Sequence, residues 1–123
     1  MSMRSIVSNR MKARGTRYES DIVRYLGTDA ERLVQTGSSD QGDIKVGRFI
    51  VQARDRAQID LSGSVDDARN QLAHYQRVHP TSDAAFSVAV IKRRRRGIDE
   101  SYVVMTLEQF NRVRNIVSAR IVP

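Results

Sequence analysis

Apolar positions in this chain change their spacing several times, and each change marks an element. From Thr16 the spacing is helical, with Ile22, Val23 and Leu26, and with Tyr18 and Tyr25 on related faces. Thr16 and Glu19 stand three apart, the pattern of a capping box, and Gly27 predicts the helix end. "RLVQT" (32–36) reads as a short strand before the turn-rich "GSSDQGD". "DIKV", Gly47 and "RFIVQAR" predict two strands joined by a tight turn. "SVDDARNQLAHYQRV" carries Val65, Ala68, Leu72 and Tyr75 at helical spacing, with Ser64 as its cap and Pro80 beyond its end. "AFSVAVI" (85–91) is a β-branched apolar run, the signature of a buried strand. "SYVVMTL" (101–107) predicts another strand. "LEQFNRVRNIV" predicts a last helix, capped by Thr106, with Leu107, Phe110, Val113 and Val117 as its apolar stripe.

The resulting order is helix, strand, hairpin, helix, strand, strand, helix. It predicts an α/β fold, a mixed sheet of about five strands flanked by helices. The 123 residues suit one domain, here 16–123, preceded by a polar, basic arm over 1–15. There are no cysteines, which removes disulfides and thiolate metal sites. No apolar run reaches the roughly 18 residues of a membrane span, and the polar N-terminus does not read as a secretory signal. A cytoplasmic protein is expected, in a host cell if the chain is phage-encoded.

Charge narrows the picture. Lysine and arginine total 21 against 14 acids, a net charge of +7. Almost all of the cations are arginines, whose planar fork suits phosphate. They also cluster: Arg10, Lys12, Arg14 and Arg17 lie near the N-terminus, and Lys92, Arg93, Arg94, Arg95 and Arg96 form an unbroken run. Nucleic acid is the expected partner, gripped by its backbone, with Ser38 as a further phosphate donor.

Strand parity places the candidate chemistry. In "FIVQAR", Ile50, Gln52 and Arg54 share one face, and Asp55 falls on the other. Asp43 opens the neighbouring strand, close to the Gln52 face, and Glu19 on the first helix can lean toward it. Oxygen donors beside a cation can hold a hard divalent ion and steady charge on phosphorus. Each residue also has a plainer reading. Asp43 can end a turn, Glu19 can cap a helix, and Gln52 with Arg54 can form a solvated strand face.

Taken together, "RGTRYESDIVRYL", "GSSDQGDIKV" and "FIVQARDR" resemble the archaeal and phage Holliday junction resolvases of the PD-(D/E)xK nuclease superfamily. The resemblance spans about Arg14 to Phe110 and ends on "VVMTLEQF". It implies a restriction-endonuclease-like core and Mg²⁺-dependent (or Mn²⁺-dependent) hydrolysis of four-way or related branched DNA by a homodimer. It also implies the site: Glu19, Asp43, Gln52 and Arg54 as catalytic residues, with Asp43, Glu19 and Gln52 on the metal. Gln52 stands where the family has glutamate and Arg54 where it has lysine. A glutamine there is similar to the Gln-x-Lys of modification-dependent restriction nucleases. Arginine stays charged but does not accept a proton.

Two other functions fit the same residues. One is a nuclease-fold protein that binds DNA or junctions without cutting them; the other is a phage interaction module or inhibitor. Asp40, Asp55 and Asp60 are further acids near the motif, and Asp60 reads more readily as solvated. His74 and His79 lack a metal-spaced partner and read as surface residues. Tyr18, Tyr25, Tyr75 and Tyr102 read as core or rim.

Overall fold

The alternation in "FIVQAR" builds two cores, one on each face of a single sheet. The computed structural model describes residues 3–34 and 43–121, with side chains for 14–34 and 43–119. Its elements are α1 (Met3–Leu26), β1 (Ala30–Arg32), β2 (Ile44–Val46), β3 (Phe49–Arg54), α2 (Leu61–Val78), β4 (Phe86–Ile91), β5 (Tyr102–Val104) and α3 (Leu107–Ile121). A single 3₁₀ turn, Ile98–Glu100, precedes β5. The five strands lie in sequence order, antiparallel except for the central β3–β4 pair, which is parallel. That pair requires a crossover, and α2 supplies it. The expected α/β fold with a five-stranded mixed sheet is therefore present.

Val51 joins Tyr18 and Ile22 of α1, Ile44 of β2, and Val88 and Val90 of β4 in one core. Ile50 points the other way, against Tyr75 and Leu72 of α2. β4 is buried along its whole length, as a strand covered on both faces must be. The β2–β3 hairpin closes on Gly47 and Arg48 between the paired Val46 and Phe49. Gly47 takes φ +55°, which a two-residue hairpin turn needs and glycine adopts at little cost.

Several element boundaries differ from the sequence expectation. Helix α1 begins at Met3, so the expected arm is helical from there and Thr16–Glu19 lies within the helix rather than at a cap. Ser20 instead donates back to the Thr16 carbonyl. β1 lies two residues earlier than expected, and Gln35 and Thr36 fall outside the described residues. Helix α2 starts at Leu61, capped by Asp60, whose carboxylate accepts from the Gly63 amide at 3.0 Å. Ser64, the expected cap, is buried in its second turn. Asp60 is thus an exposed helix cap, facing solvent as its sequence reading has it.

Helix α3 starts as expected, with Thr106 Oγ1 accepting from Gln109 N. Its expected apolar stripe is mostly exposed, with Leu107 80%, Phe110 52% and Val117 50% exposed and only Val113 half-buried. The helix is fixed instead through a polar residue. Gln109 is buried and its amide exchanges two hydrogen bonds with the backbone of Ser87, at 2.9 and 2.7 Å. β5 pairs only with Ala89–Ile91, so the first half of β4 lacks a strand neighbour on that side. The Gln109 amide supplies the missing peptide group.

Candidate functional site

Asp43 stands where β2 and β3 part. Its amide donates to the Val51 carbonyl, and its Oδ2 accepts from the Ala53 amide at 2.8 Å. Ile44↔Val51 is the last paired rung, and Asp43 stands just beyond it, held by Val51 and Ala53 of β3. The carboxylate continues the ladder by one rung, which fixes it on the Ala53 amide near the end of β3.

Gln52 is 5% exposed, which excludes the solvated-face reading for it. It packs under α2 with its amide between Gln71 and the Arg54 guanidinium; turned with nitrogen to Gln71 Oε1 and oxygen to Arg54, the amide is satisfied on both sides. Arg54 shares that face as parity requires. It donates to Asp67 Oδ2 of α2 at 2.8 Å, and Asp67 is half in solvent. Beside this pair opens a polar cleft of about 230 Å³, lined by Arg54, Arg56, Gln58, Asp60, Ser64 and Asp67. The cleft meets the N-terminus of an 18-residue helix, where backbone amides favour anions.

Glu19 lies elsewhere. Its Oε2 accepts from Arg32 Nη2 at 2.8 Å, on the sheet face that α1 covers. The structure thus sets Gln52 beside Arg54, anchors Asp43 to the Ala53 amide of the same strand, and places Glu19 against β1. Among the described residues, no group of three histidine, cysteine or acidic side chains could hold a metal ion. Arg14 and Arg17 are exposed on α1; the side chains of Arg10 and Lys12, and all of Ser38 and Asp40, lie outside the described residues. An apolar cleft of about 320 Å³ lies apart from this chemistry, lined by Ile22, Leu26, Phe49, Val90 and Met105 among others.

Asp55 is the residue whose role the sequence hid. Its side chain is 1% exposed, and neither carboxylate oxygen accepts a hydrogen bond among the described residues. Arg94 Nη1 stands 3.3 Å from Oδ1 and Lys92 Nζ 3.8 Å from Oδ2. Lys92 also lies over the Tyr18 ring. Tyr18 donates to Ser101 Oγ at 2.8 Å. Burial pushes the Tyr18 phenol above its usual pKa of 10.0; the Ser101 hydrogen bond opposes this, and the Asp55 charge adds to it. The signal was parity: Asp55 continues Val51 and Ala53 on the α1 face, where a charge needs partners. Asp67 and Gln71 follow the same logic on α2, one turn apart and facing β3.

Comparison of the chain with protein-family models, curated proteins and solved structures finds no match. The functional reading therefore rests on the site itself and on the resemblance carried by its motifs.

Proposed function

We propose that this chain is a structure-selective endonuclease of the junction-resolvase type, acting on four-way or related branched DNA. The observation that carries the reading is that the end of β3 holds all three: Asp43 on the Ala53 amide, and Gln52 beside Arg54. The element order and the parallel β3–β4 pair support a restriction-endonuclease-like core, and the arginine-rich surface supports a DNA partner.

The donor set suits a divalent ion only in a restricted way. Asp43 and Gln52 offer one carboxylate and one amide oxygen, and Glu19 is turned to Arg32. Mg²⁺ commonly keeps several waters and takes substrate phosphate oxygens, so this pair fits an ion that arrives with DNA. When bound, Mg²⁺ or Mn²⁺ would supply Lewis-acid polarisation and a more acidic water. Asp43 would hold the site in register through its bond to Ala53. Arg54 would donate to a non-bridging phosphate oxygen, a role its fixed charge allows, while Asp67 keeps the guanidinium in place. Arg54 takes no proton, so the attacking water must lose its proton to another acceptor.

A second reading is favoured by one observation: the Gln52 amide is already engaged on both sides, by Arg54 and Gln71. A site locked in that way binds branched DNA without cutting it. A homodimer belongs to either reading, and exposed Leu107, Phe110 and Val117 of α3 offer apolar surface for it. A labelled four-way junction and a matched duplex, each with Mg²⁺ or chelator, separate the readings. Paired metal-dependent nicks in the junction support the endonuclease. Tight junction binding with no cleavage in Mg²⁺ or Mn²⁺ supports the second reading and rejects the first.

A further inference from the structure

The five basic residues between β4 and the 3₁₀ turn are not equivalent. Lys92 and Arg94 face the buried Asp55 carboxylate, at 3.8 and 3.3 Å. Arg93 and Arg96 face Glu100, at 3.9 and 3.2 Å, and Arg93 also stacks over Tyr102. Arg95 has no ion pair among the described residues and is exposed. Two acids thus divide four of the cations between them, one from inside the molecule and one from its surface.

Arg95 also holds an uncommon backbone. Its φ of 62° is the only positive value at a non-glycine among the described residues. The Arg96 amide donates to the Arg93 carbonyl, which closes a turn with Arg95 at its third position. With a positive φ confined to that position, the turn is of the type that ordinarily takes glycine. An arginine there costs stability, and the cost is accepted at an exposed turn where no ion pair among the described residues would return it.

We infer that Arg95 is the phosphate-contacting tip of a nucleic-acid interface, and that Asp55 and Glu100 are positioning residues that hold the Lys92–Arg96 turn in shape beneath it. This rests on the DNA reading above and narrows it to one residue. The partner is a polyanionic backbone, contacted by charge and shape rather than by base identity. Asp55 acts from within. Among the described residues its carboxylate accepts no hydrogen bond, and both of its ion pairs pull on the turn.

The test is the salt dependence of binding to a labelled four-way junction, with thermal melting of each protein alongside. Arg95→Gly is expected to weaken binding several-fold at low salt and to reduce the slope of log K against log salt by about 1. Its melting midpoint should not fall, because glycine suits the backbone there. Arg94→Ala is expected to leave the slope unchanged while lowering the midpoint. Asp55→Asn makes the protein more positive by one charge, yet binding should weaken, because the turn loses its inner anchor. A wild-type slope in Arg95→Gly, an equal slope loss in Arg94→Ala, or tighter binding by Asp55→Asn each overturns the inference alone. A wild-type protein that binds neither junction nor duplex overturns it together with the proposed function.

Discussion

Gln52 and Arg54 decide what the site can do, and their neighbours show how each is restrained. The Gln52 amide lies between Gln71 and Arg54, and Arg54 reaches on to Asp67. Replacing the amide by a carboxylate keeps the shape, places an acid beside the guanidinium, and adds a charged donor next to Asp43. Gln52→Glu is therefore expected to fold normally, melt within a few degrees of wild type, and cleave junction DNA faster at low Mg²⁺. Cleavage rates titrated against Mg²⁺ check this; an unchanged metal requirement would show that Gln52 is no ligand.

Tyr18 gives a second prediction at this scale. Its raised pKa means that above pH 10.0 the unfolded chain releases a proton that the folded chain keeps. The folded state then binds more protons, so stability falls as pH rises past that point. Denaturation midpoints measured on either side of pH 10 should show the loss. Tyr18→Phe should flatten the dependence, although it forfeits the Ser101 bond.

Among the elements, α3 tests how well pattern reports packing. Its stripe of Leu107, Phe110, Val113 and Val117 predicts an apolar contact, yet the helix is held by Gln109 on Ser87. Gln109→Ala leaves two buried backbone groups unpaired, at a cost of about 2–6 kcal/mol, since each orphaned group costs roughly 1–3 kcal/mol. Urea unfolding should show a lower midpoint of that size; a change under half a kcal/mol would mean that α3 is held by other contacts.

Helix α3 also shows what the sequence could and could not convey. Period-2 and helical spacing located most elements, and parity sorted Gln52 and Arg54 from Asp55, because those signals are local. A short β5 that leaves half of β4 open is a tertiary fact, and so is a glutamine serving as a strand. Neither has a period to read. Helix α1 illustrates the same limit: the Thr16–Glu19 pair has a cap's spacing, but the helix continues to Met3 and passes through it. The site divided likewise. The strand order and the place of Asp43 at the end of the hairpin followed from its pattern, whereas the turning of Glu19 to Arg32 depends on where α1 crosses β1.

For the molecule as a whole, charge and exposed apolar surface point to two different kinds of contact. Arginines on α1 and in the Lys92–Arg96 turn suit DNA, while α3 and β5 expose Leu107, Phe110, Tyr102 and Val103. Two strands of a junction are cut symmetrically by a two-fold dimer, and an isologous contact would use one such patch twice. Sedimentation is expected to give twice the chain mass, with Phe110→Asp shifting it to the monomer. A wild-type monomer at all concentrations would remove the dimer from the proposal.

Asp43 offers the most direct test, because its structural and chemical roles can be separated. Asp43→Asn keeps a side-chain oxygen for the Ala53 amide, so the sheet edge and the melting midpoint should be retained, while the charge is lost. Cleavage of a labelled four-way junction by this variant and by wild type should be compared in Mg²⁺ and in Mn²⁺. Metal-dependent cleavage by wild type, with none by a folded Asp43→Asn that still binds the junction, is the expected result. Cleavage by Asp43→Asn at the wild-type rate, or no cleavage by wild type with either metal, would contradict a nuclease site at Asp43, Gln52 and Arg54.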